Sequence, residues 1–365
     1  MGLQVGIVGL PNSGKTTLFN LLTKSCAEVA GHPFSTITPN RGVVEVPDKR
    51  LEILAQILRP PRIVQATVEF VDVAGLVEGA SKGEGLGNQF LSHIRAVDAV
   101  VEVLRFFMDV NVPHVTGEIH PVRDKDIVDT ELLLADLEVA ERRLEKLSDL
   151  LRKTKNEKLV EEREVLERCV EHLSRGIPLR DVDFSPKERD LLKPYQFITA
   201  KPILYVANLD EGELSRKLFE RVEKEFREKN LVLIPVWAKL EGELAELEEE
   251  ERQAFLQEFG VSGFGFLRVV EEAYRLLGLI TFYTYGDKEL RAWEVLRGTK
   301  APRAASKVHT DMEKGFIRAE VVHFNDLVAC GSLERAREEG KVRFEGKDYE
   351  IQDGDIVYFR FTPPR

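Results

Sequence analysis

The chain is poor in cysteine, and the three it has (Cys26, Cys169, Cys330) are scattered and odd in number. That excludes a disulfide framework and fits a reducing, cytoplasmic setting in which each thiol is a small buried hydrophobe. Long hydrophobic runs are missing too. No stretch reaches membrane-spanning length, and an apolar strand starts within the first residues, so neither a membrane span nor a leader is expected. His93, His172, His309 and His323 lack the spacing of a zinc site. Positive charge is in deficit: 52 Lys and Arg against 63 Asp and Glu give a net charge of −11. This excludes a bulk polyanion binder and confines any nucleic-acid contact to a local face. Proline is absent between Pro121 and Pro178, which leaves room for long helices. There is no internal repeat or low-complexity tract. What remains, at 43% hydrophobic and 32% charged over 365 residues, is a globular chain with ample core. Its length suggests two or three domains.

The informative part begins at the eighth residue. Val8-Gly9-Leu10-Pro11-Asn12-Ser13-Gly14-Lys15-Thr16-Thr17 follows the apolar Val5 and Ile7 and runs into the amphipathic stretch Leu18 to Leu22. It reads as strand, glycine loop, helix, and contains G-x-x-x-x-G-K-T, the phosphate-binding P-loop pattern. Gly9 and Gly14 let successive N–H groups turn toward one anion, at a helix N-terminus that itself favours negative charge. Lys15 is expected to reach the β- and γ-phosphates and the Thr16 hydroxyl to ligate Mg2+. The bare pattern can also be a glycine turn before an ordinary helix. The strand before it and the helix after it favour the P-loop.

Gly31 to Asn40, with Pro33, Pro39 and several hydroxyl residues, reads as a loop. Val43 to Val46 and Thr67 to Val71 read as strands, the second ending in Asp72-Val73-Ala74-Gly75. A carboxylate at a strand's C-terminal end can hold Mg2+ through water, and the Gly75 N–H can approach a terminal phosphate. An isolated D-x-x-G mostly marks a turn; its order after a P-loop gives it meaning here. The glycines at 75, 79, 83, 85 and 87 suggest a segment ordered by the γ-phosphate, or else merely a flexible loop. Asn88 to Arg95 reads as a helix and Ala99 to Leu104 as a buried strand.

Leu137, Ala140, Leu144, Leu147 and Leu151 recur at coiled-coil spacing, and Leu159, Leu166, Cys169 and Leu173 continue it after a break near Thr154-Lys155-Asn156. The pattern predicts an antiparallel helical hairpin interrupting the nucleotide domain. Its tip (Arg152, Lys153, Lys155, Lys158) is basic, either as a solvated helix end or as an RNA contact. Strands at Ile203 to Ala207 and Leu231 to Val236 end in Asn208-Leu209-Asp210-Glu211 and Trp237-Ala238-Lys239, loops at the sheet edge where α/β proteins bind ligands.

From Leu279 onward short strands and helices alternate, which predicts a small α+β domain. Strands fit Ile280 to Tyr285, Ala319 to Phe324, Val342 to Phe344 and Ile356 to Phe361. From Lys288 to Arg318 there are eight basic residues against four acidic ones. This is a candidate nucleic-acid face, or ordinary polar surface.

Taken in order, G-L-P-N-S-G-K-T, P-F-S-T-I-T-P-N, D-V-A-G-L-V and N-L-D-E resemble the Obg-related translation-factor GTPases, and more closely their YchF branch, the Obg-like ATPases. Gly75 to Asn88 is similar to that branch's switch region. The helical insertion and the C-terminal stretch, with His309 to Arg318, resemble its helical and TGS domains over essentially the whole chain. The resemblance implies an α/β fold: a P-loop NTPase (Ras-like G domain) with an inserted antiparallel helical coiled-coil hairpin and a C-terminal β-grasp TGS domain. The domains expected are 1–125 with 195–278, 126–194, and 279–365. It also implies phosphate binding by Asn12, Ser13, Gly14, Lys15, Thr16 and Thr17, Mg2+ at Thr16, Thr36 and Asp72, γ-phosphate contact at Gly75, and the base at Leu209. Ser13 stands where the family usually has Val. Proteins of this kind hydrolyse ATP, often GTP more weakly, and associate with ribosomes.

Guanine-specific members carry N-K-x-D; here Leu209 and Glu211 replace its Lys and Asp. With Asn208, Glu211 and Ala238 at the base, ATP is expected to bind at least as well as GTP. A Gln after D-x-x-G orients the attacking water in Ras-like enzymes. That position is Leu76, which has no hydrogen-bonding group, and the resemblance points instead to His114, with Lys15 as the other catalytic group. The partners expected are ATP (GTP possible) and a ribosome or structured RNA, met through the TGS domain and helical tip. A cytoplasmic monomer without membrane contact is expected. Rival readings are a P-loop kinase or metabolic ATPase with a helical lid, and a ribosome-binding scaffold with vestigial hydrolysis.

Overall fold

Five consecutive buried residues, Gln4–Val8 (β1), run through the middle of a parallel sheet. A strand covered on both faces needs this continuous apolar run rather than an alternating one. A computed structural model of the chain describes residues 3–25, 40–73, 86–248, 251 and 263–362. After β1 come α1 (Lys15–Ser25), β2 (Asn40–Glu45), α2 (Lys49–Leu58), β3 (Ile63–Val64), β4 (Thr67–Asp72), α3 (Leu86–Ala96) and β5 (Ala99–Arg105). Then follow α4 (Pro121–Leu151), α5 (Glu157–Ser174), α6 (Pro186–Leu192), β6 (Ile203–Asn208), α7 (Glu213–Glu228), β7 (Leu233–Val236), α8 (Ala238–Ala245) and α9 (Gly265–Leu276). The remainder is β8 (Leu279–Tyr285), β9 (Leu290–Leu296), α10 (Ala301–Val308), α11 (Thr310–Lys314), β10 (Phe316–His323), α12 (Phe324–Cys330), α13 (Leu333–Glu338), β11 (Arg343–Glu345) and β12 (Asp355–Phe361).

The chain divides into two units, Met1–Gly42 with Glu69–Val269, and Val43–Val68 with Val270–Arg365. The first unit is built on a sheet of order β2-β4-β1-β5-β6-β7, in which β1 pairs in parallel with β4 and β5, and β6 with β5 and β7. This is a P-loop G-domain fold. Parallel strands deliver their C-terminal ends to one edge, so the turn after β1, Asp72, Asn208 and Ala238 come together there.

In the same unit α4 starts at Pro121, where His120 caps the helix by accepting from the Arg123 N–H. Asn156 caps α5 in the same way, so the chain reverses between 152 and 156, at the predicted break. The buried seam holds Ala140, Leu147, Leu166, Cys169 and Leu173, with Leu137, Leu144 and Leu159 partly buried beside them. Burial pushes the Cys169 thiol up to about 12, which leaves it inert.

The second unit is a mixed sheet of order β11-β10-β12-β8-β9-β3. The unit includes Val43–Val68, a stretch that the expected boundaries placed within 1–125, and its sheet takes β3 from there. β3 pairs in parallel with β9 (Ile63 with Leu290), and Leu51, Leu54 and Ala66 share a core with Tyr283, Leu290, Leu327 and Ile356. A two-residue strand and a ten-residue helix have no periodicity that reveals their partner. Arg50 ties them further, donating to Asp48 at 3.0 Å and Asp353 at 2.9 Å, while the Tyr283 hydroxyl donates to Asp48. β9 is another element the sequence conceals: with α10 and α11 it lies inside the predicted basic run.

Candidate nucleotide site

The turn after β1 has backbone angles that only certain residues accept. Gly9 and Gly14 lie at φ 146° and 92°. A Cβ on Gly9 would come within 2.5 Å of the Val103 carbonyl oxygen, and one on Gly14 within 2.1 Å of the Asn208 amide nitrogen. Neither position has room for a side chain. Asn12 sits at φ 63°, a region Asn tolerates, and its amide donates to the Pro113 carbonyl at 3.0 Å. Ser13 is enclosed by the loop, its hydroxyl buried without a partner, while Thr17 is exposed on α1.

The Lys15 ammonium folds back to donate to the Leu10 carbonyl at 2.8 Å. Burial lowers its pKa to about 8, with the Asp72 charge opposing the shift. The Thr16 hydroxyl donates to Asp72 Oδ2 at 3.0 Å, and burial raises the Asp72 carboxyl above its ordinary value against that hydrogen bond and Lys15. A hydroxyl and a carboxylate side by side are the hard-oxygen donors that suit Mg2+, which keeps its remaining positions for water and phosphate. The donor set therefore fits the ion. Thr36 and Gly75 lie outside the described residues, as do Leu76 and the predicted switch segment.

On the base side the structure redistributes the roles. The Asn208 amide donates to the Ser13 carbonyl at 3.1 Å and its oxygen accepts the Ala238 N–H at 3.4 Å. It braces the P-loop against the start of α8, which takes one of its two N–H donors and one lone pair of its oxygen. Leu209 turns its side chain into the core with Phe106, Tyr205 and Phe226, and its N–H donates to the Val236 carbonyl at 2.9 Å, so its carbonyl is what it can offer a base. Ala238 is buried and Glu211 is exposed. Asp210, between them, shapes the loop by accepting from the Met108 N–H at 2.6 Å and the Gly212 N–H at 2.8 Å.

His114 adjoins the P-loop through its neighbour Pro113, yet its ring is occupied. Nε2 lies 2.8 Å from Asp124 Oδ2, Nδ1 lies 2.9 Å from the Thr116 hydroxyl, and the side chain is 4% exposed. Nδ1 also accepts the Thr116 N–H at 3.2 Å, which puts the proton of a neutral ring on Nε2, toward Asp124. In this conformation neither nitrogen is free for a water molecule.

Sequence reasoning missed the residues that hold this loop. Arg105, at the end of β5, is buried and donates to the carbonyls of Phe107, Asp109 and Val112 at 3.2, 3.3 and 2.8 Å. Its guanidinium lies 4.3 Å from the Phe107 ring centroid. Phe107 in turn reaches within 3.8 Å of where a Gly14 side chain would begin. An arginine closing a buried strand is the one cue the sequence offered. Asp124 carries no local signature, since it meets His114 only through the start of α4.

Comparison with known proteins gives the chain's relatives. Residues 4–160 match a family model described as a 50S ribosome-binding GTPase, and residues 279–362 match one for the C-terminal domain of YchF GTPases, described as a protein of unknown function (DUF933). The chain is 48% identical to the ribosome-binding ATPase YchF of Bacillus subtilis, covering 99% of this chain and 100% of that protein. It is 46% identical to the ribosome-binding ATPase YchF of Escherichia coli O157:H7, again over 99% of this chain and 100% of that one. The solved structure of the Schizosaccharomyces pombe YchF GTPase superposes with a TM-score of 0.87 at 35% identity, covering 98% of both chains. A P-loop braced by Asn208, a Leu in place of the guanine-loop Lys and a likeness that spans both units lead to one conclusion: the chain belongs to the YchF family.

Proposed function

We propose that this protein is an Mg2+-dependent ATPase that uses its nucleotide state to control association with the ribosome. The observation that carries the reading is the Thr16–Asp72 pair beside Lys15 on a P-loop whose backbone angles exclude side chains at Gly9 and Gly14. Thr16 and Asp72 would hold the ion, with Thr36 as a further ligand; bound there, it neutralises phosphate charge. Asn12 to Thr17 and Gly75 bind the phosphates through backbone N–H groups. Lys15 exchanges the Leu10 carbonyl for phosphate oxygens, which favour its charged form. Leu209 offers its backbone carbonyl to the base beside Ala238, and Glu211 stands where guanine-specific proteins need Asp, so ATP binds at least as tightly as GTP.

His114 positions or deprotonates the attacking water only after its loop moves and the ring leaves Asp124. Hydrolysis without a partner is therefore slow. Calorimetry with ATP and GTP, and co-sedimentation with ribosomes in the ATP-bound and ADP-bound states, test this reading. GTP bound tenfold more tightly, or no ribosome association in either state, would refute it.

A further inference from the structure

Four of the eight bases in the run from Lys288 to Arg318 are held in ion pairs, three of them with acids of the run itself. Lys300 pairs with Asp348 at 2.7 Å, Lys307 with Glu294 at 2.8 Å, Arg303 with Glu313 at 3.6 Å and Arg291 with Glu289 at 3.6 Å. A different feature of the second unit stands out in its place. In β10 and β12 alternate residues (Ala319, Val321, Val357, Phe359) point into a core shared with α10. The opposite side of β11-β10-β12 is covered at its Val322–Ile356 end, by residues of α2, α12 and α13.

Beyond that end lies an open row. Glu320 is paired across the sheet with Phe344 on one side and Tyr358 on the other, and Arg318 with Arg360 in the next row. Phe344 is 63% exposed and Tyr358 51%. Each ring carries a guanidinium: Arg318 Cζ lies 4.6 Å from the Phe344 centroid, and Arg360 Cζ lies 4.5 Å from the Tyr358 centroid. Two strand spacings put the rings about 10 Å apart on one flat face. Tyr358 and Arg360 also line a cavity of about 330 Å³ that runs under α13, walled by Leu333, Val342 and Ile356 with Arg337 at its side.

We propose that this face binds single-stranded RNA, with unpaired bases stacked on Phe344 and Tyr358 and one base edge entering the cavity beside Tyr358. Exposed rings on an open sheet, each backed by arginine, form a platform for π-faced anionic ligands. A duplex keeps its bases stacked inside and offers phosphates, so it suits a strongly basic face. Here Glu320 and Glu334 offset the arginines, and Glu320 already accepts from Arg360 at 2.7 Å. The carboxylates instead suit base amino groups and ribose hydroxyls, which are donors. Binding therefore rests on stacking more than on phosphate neutralisation. The inference deepens the proposed ribosome association by naming the kind of RNA this unit would meet there.

The test is fluorescence anisotropy of the full-length protein with a labelled ten-nucleotide single-stranded RNA and with a duplex of equal length. The expected result is a preference for the single strand, loosened about fivefold by Phe344→Ala or Tyr358→Ala and at least tenfold by both, since stacking contributes about 1–3 kcal/mol per base. Phe344→Tyr and Tyr358→Phe, which keep the rings, retain binding. Turnover of ATP is unchanged in all five variants, and the salt dependence is shallow. Preference for the duplex, or equal binding by the double alanine variant, overturns the proposal. So does ribosome association that depends on both rings while the free single strand is ignored; the partner on this face is then a protein. Self-association abolished by the double variant overturns it in favour of a second copy. Single-strand binding by a protein that never sediments with ribosomes upholds the platform and removes the ribosome reading instead.

Discussion

The parallel sheet of the first unit and the mixed sheet of the second use their strands differently. In the first, β1, β4, β5, β6 and β7 are scaffolding, and the candidate groups lie at or just beyond their C-terminal ends. There the active groups are backbone N–H groups and a few side chains set by tight glycine geometry, so function is compressed into contiguous motifs. In the second, the candidate surface is made of outward side chains from three strands, far apart in sequence and adjacent only through register. Loop-borne sites leave a local signature and sheet-face sites do not.

The sharpest way to break the comparison is Lys15→Ala, which removes the one buried cation of the P-loop. Turnover should drop about a thousandfold, roughly 4 kcal/mol of barrier, with the fold intact; near-normal single-turnover hydrolysis would place the site elsewhere. Next comes Leu54→Ala in α2. It should lower the unfolding free energy by about 2–5 kcal/mol, because Leu54 is fully buried in the core of the second unit. If 43–68 belongs with that unit, a 270–365 fragment should lack cooperative thermal unfolding by circular dichroism, and a Leu54→Ala variant with an unchanged melting temperature would argue against it.

Asn208→Ala cuts both ties between the P-loop and α8. A loss of about 1–3 kcal/mol in stability is expected, with weaker binding of ATP and GTP alike, since the amide braces the loop rather than reads the base. Selective loss of ATP in calorimetry would restore a base-reading role. His114→Ala should slow single-turnover hydrolysis about tenfold or more, about 1.4 kcal/mol, with nucleotide affinity unchanged, whereas Leu76→Ala should be milder. Unaltered hydrolysis would return water activation to Lys15 and the loop backbone.

The smallest effect is that of pH. Lys15 of the free protein titrates near pH 8, below its unfolded value, so the unfolded chain binds more protons between about pH 8 and 10.5. Its contribution to stability therefore rises with pH across that window, while affinity for a triphosphate falls. Binding near pH 8 should take up a proton, visible as a dependence of the calorimetric heat on the buffer's ionisation enthalpy. Equal heats in phosphate and Tris would contradict the shifted lysine.

The amino-acid sequence by itself determined the P-loop with Lys15 and Thr16, the placement of Asp72 at a strand end, and the helical hairpin with its reversal between 152 and 156. In each case the cause is local: a glycine that must reach positive φ, a cap, a period of 3.5. Only the tertiary structure decided that Asn208 braces the loop, that Leu209 is core and that His114 rests on Asp124. It also decided that 43–68 joins the C-terminal unit, that half the bases of the basic run are ion-paired, and that Phe344 and Tyr358 share one face. Most of these depend on which residues meet across more than a hundred positions or across a strand register, as when Asn208 reaches Ser13 or Leu54 shares a core with Ile356; His114 and Asp124 are ten apart but joined through an irregular loop. Pairing at that range is set by the packing of the whole core, and no window of the sequence contains it.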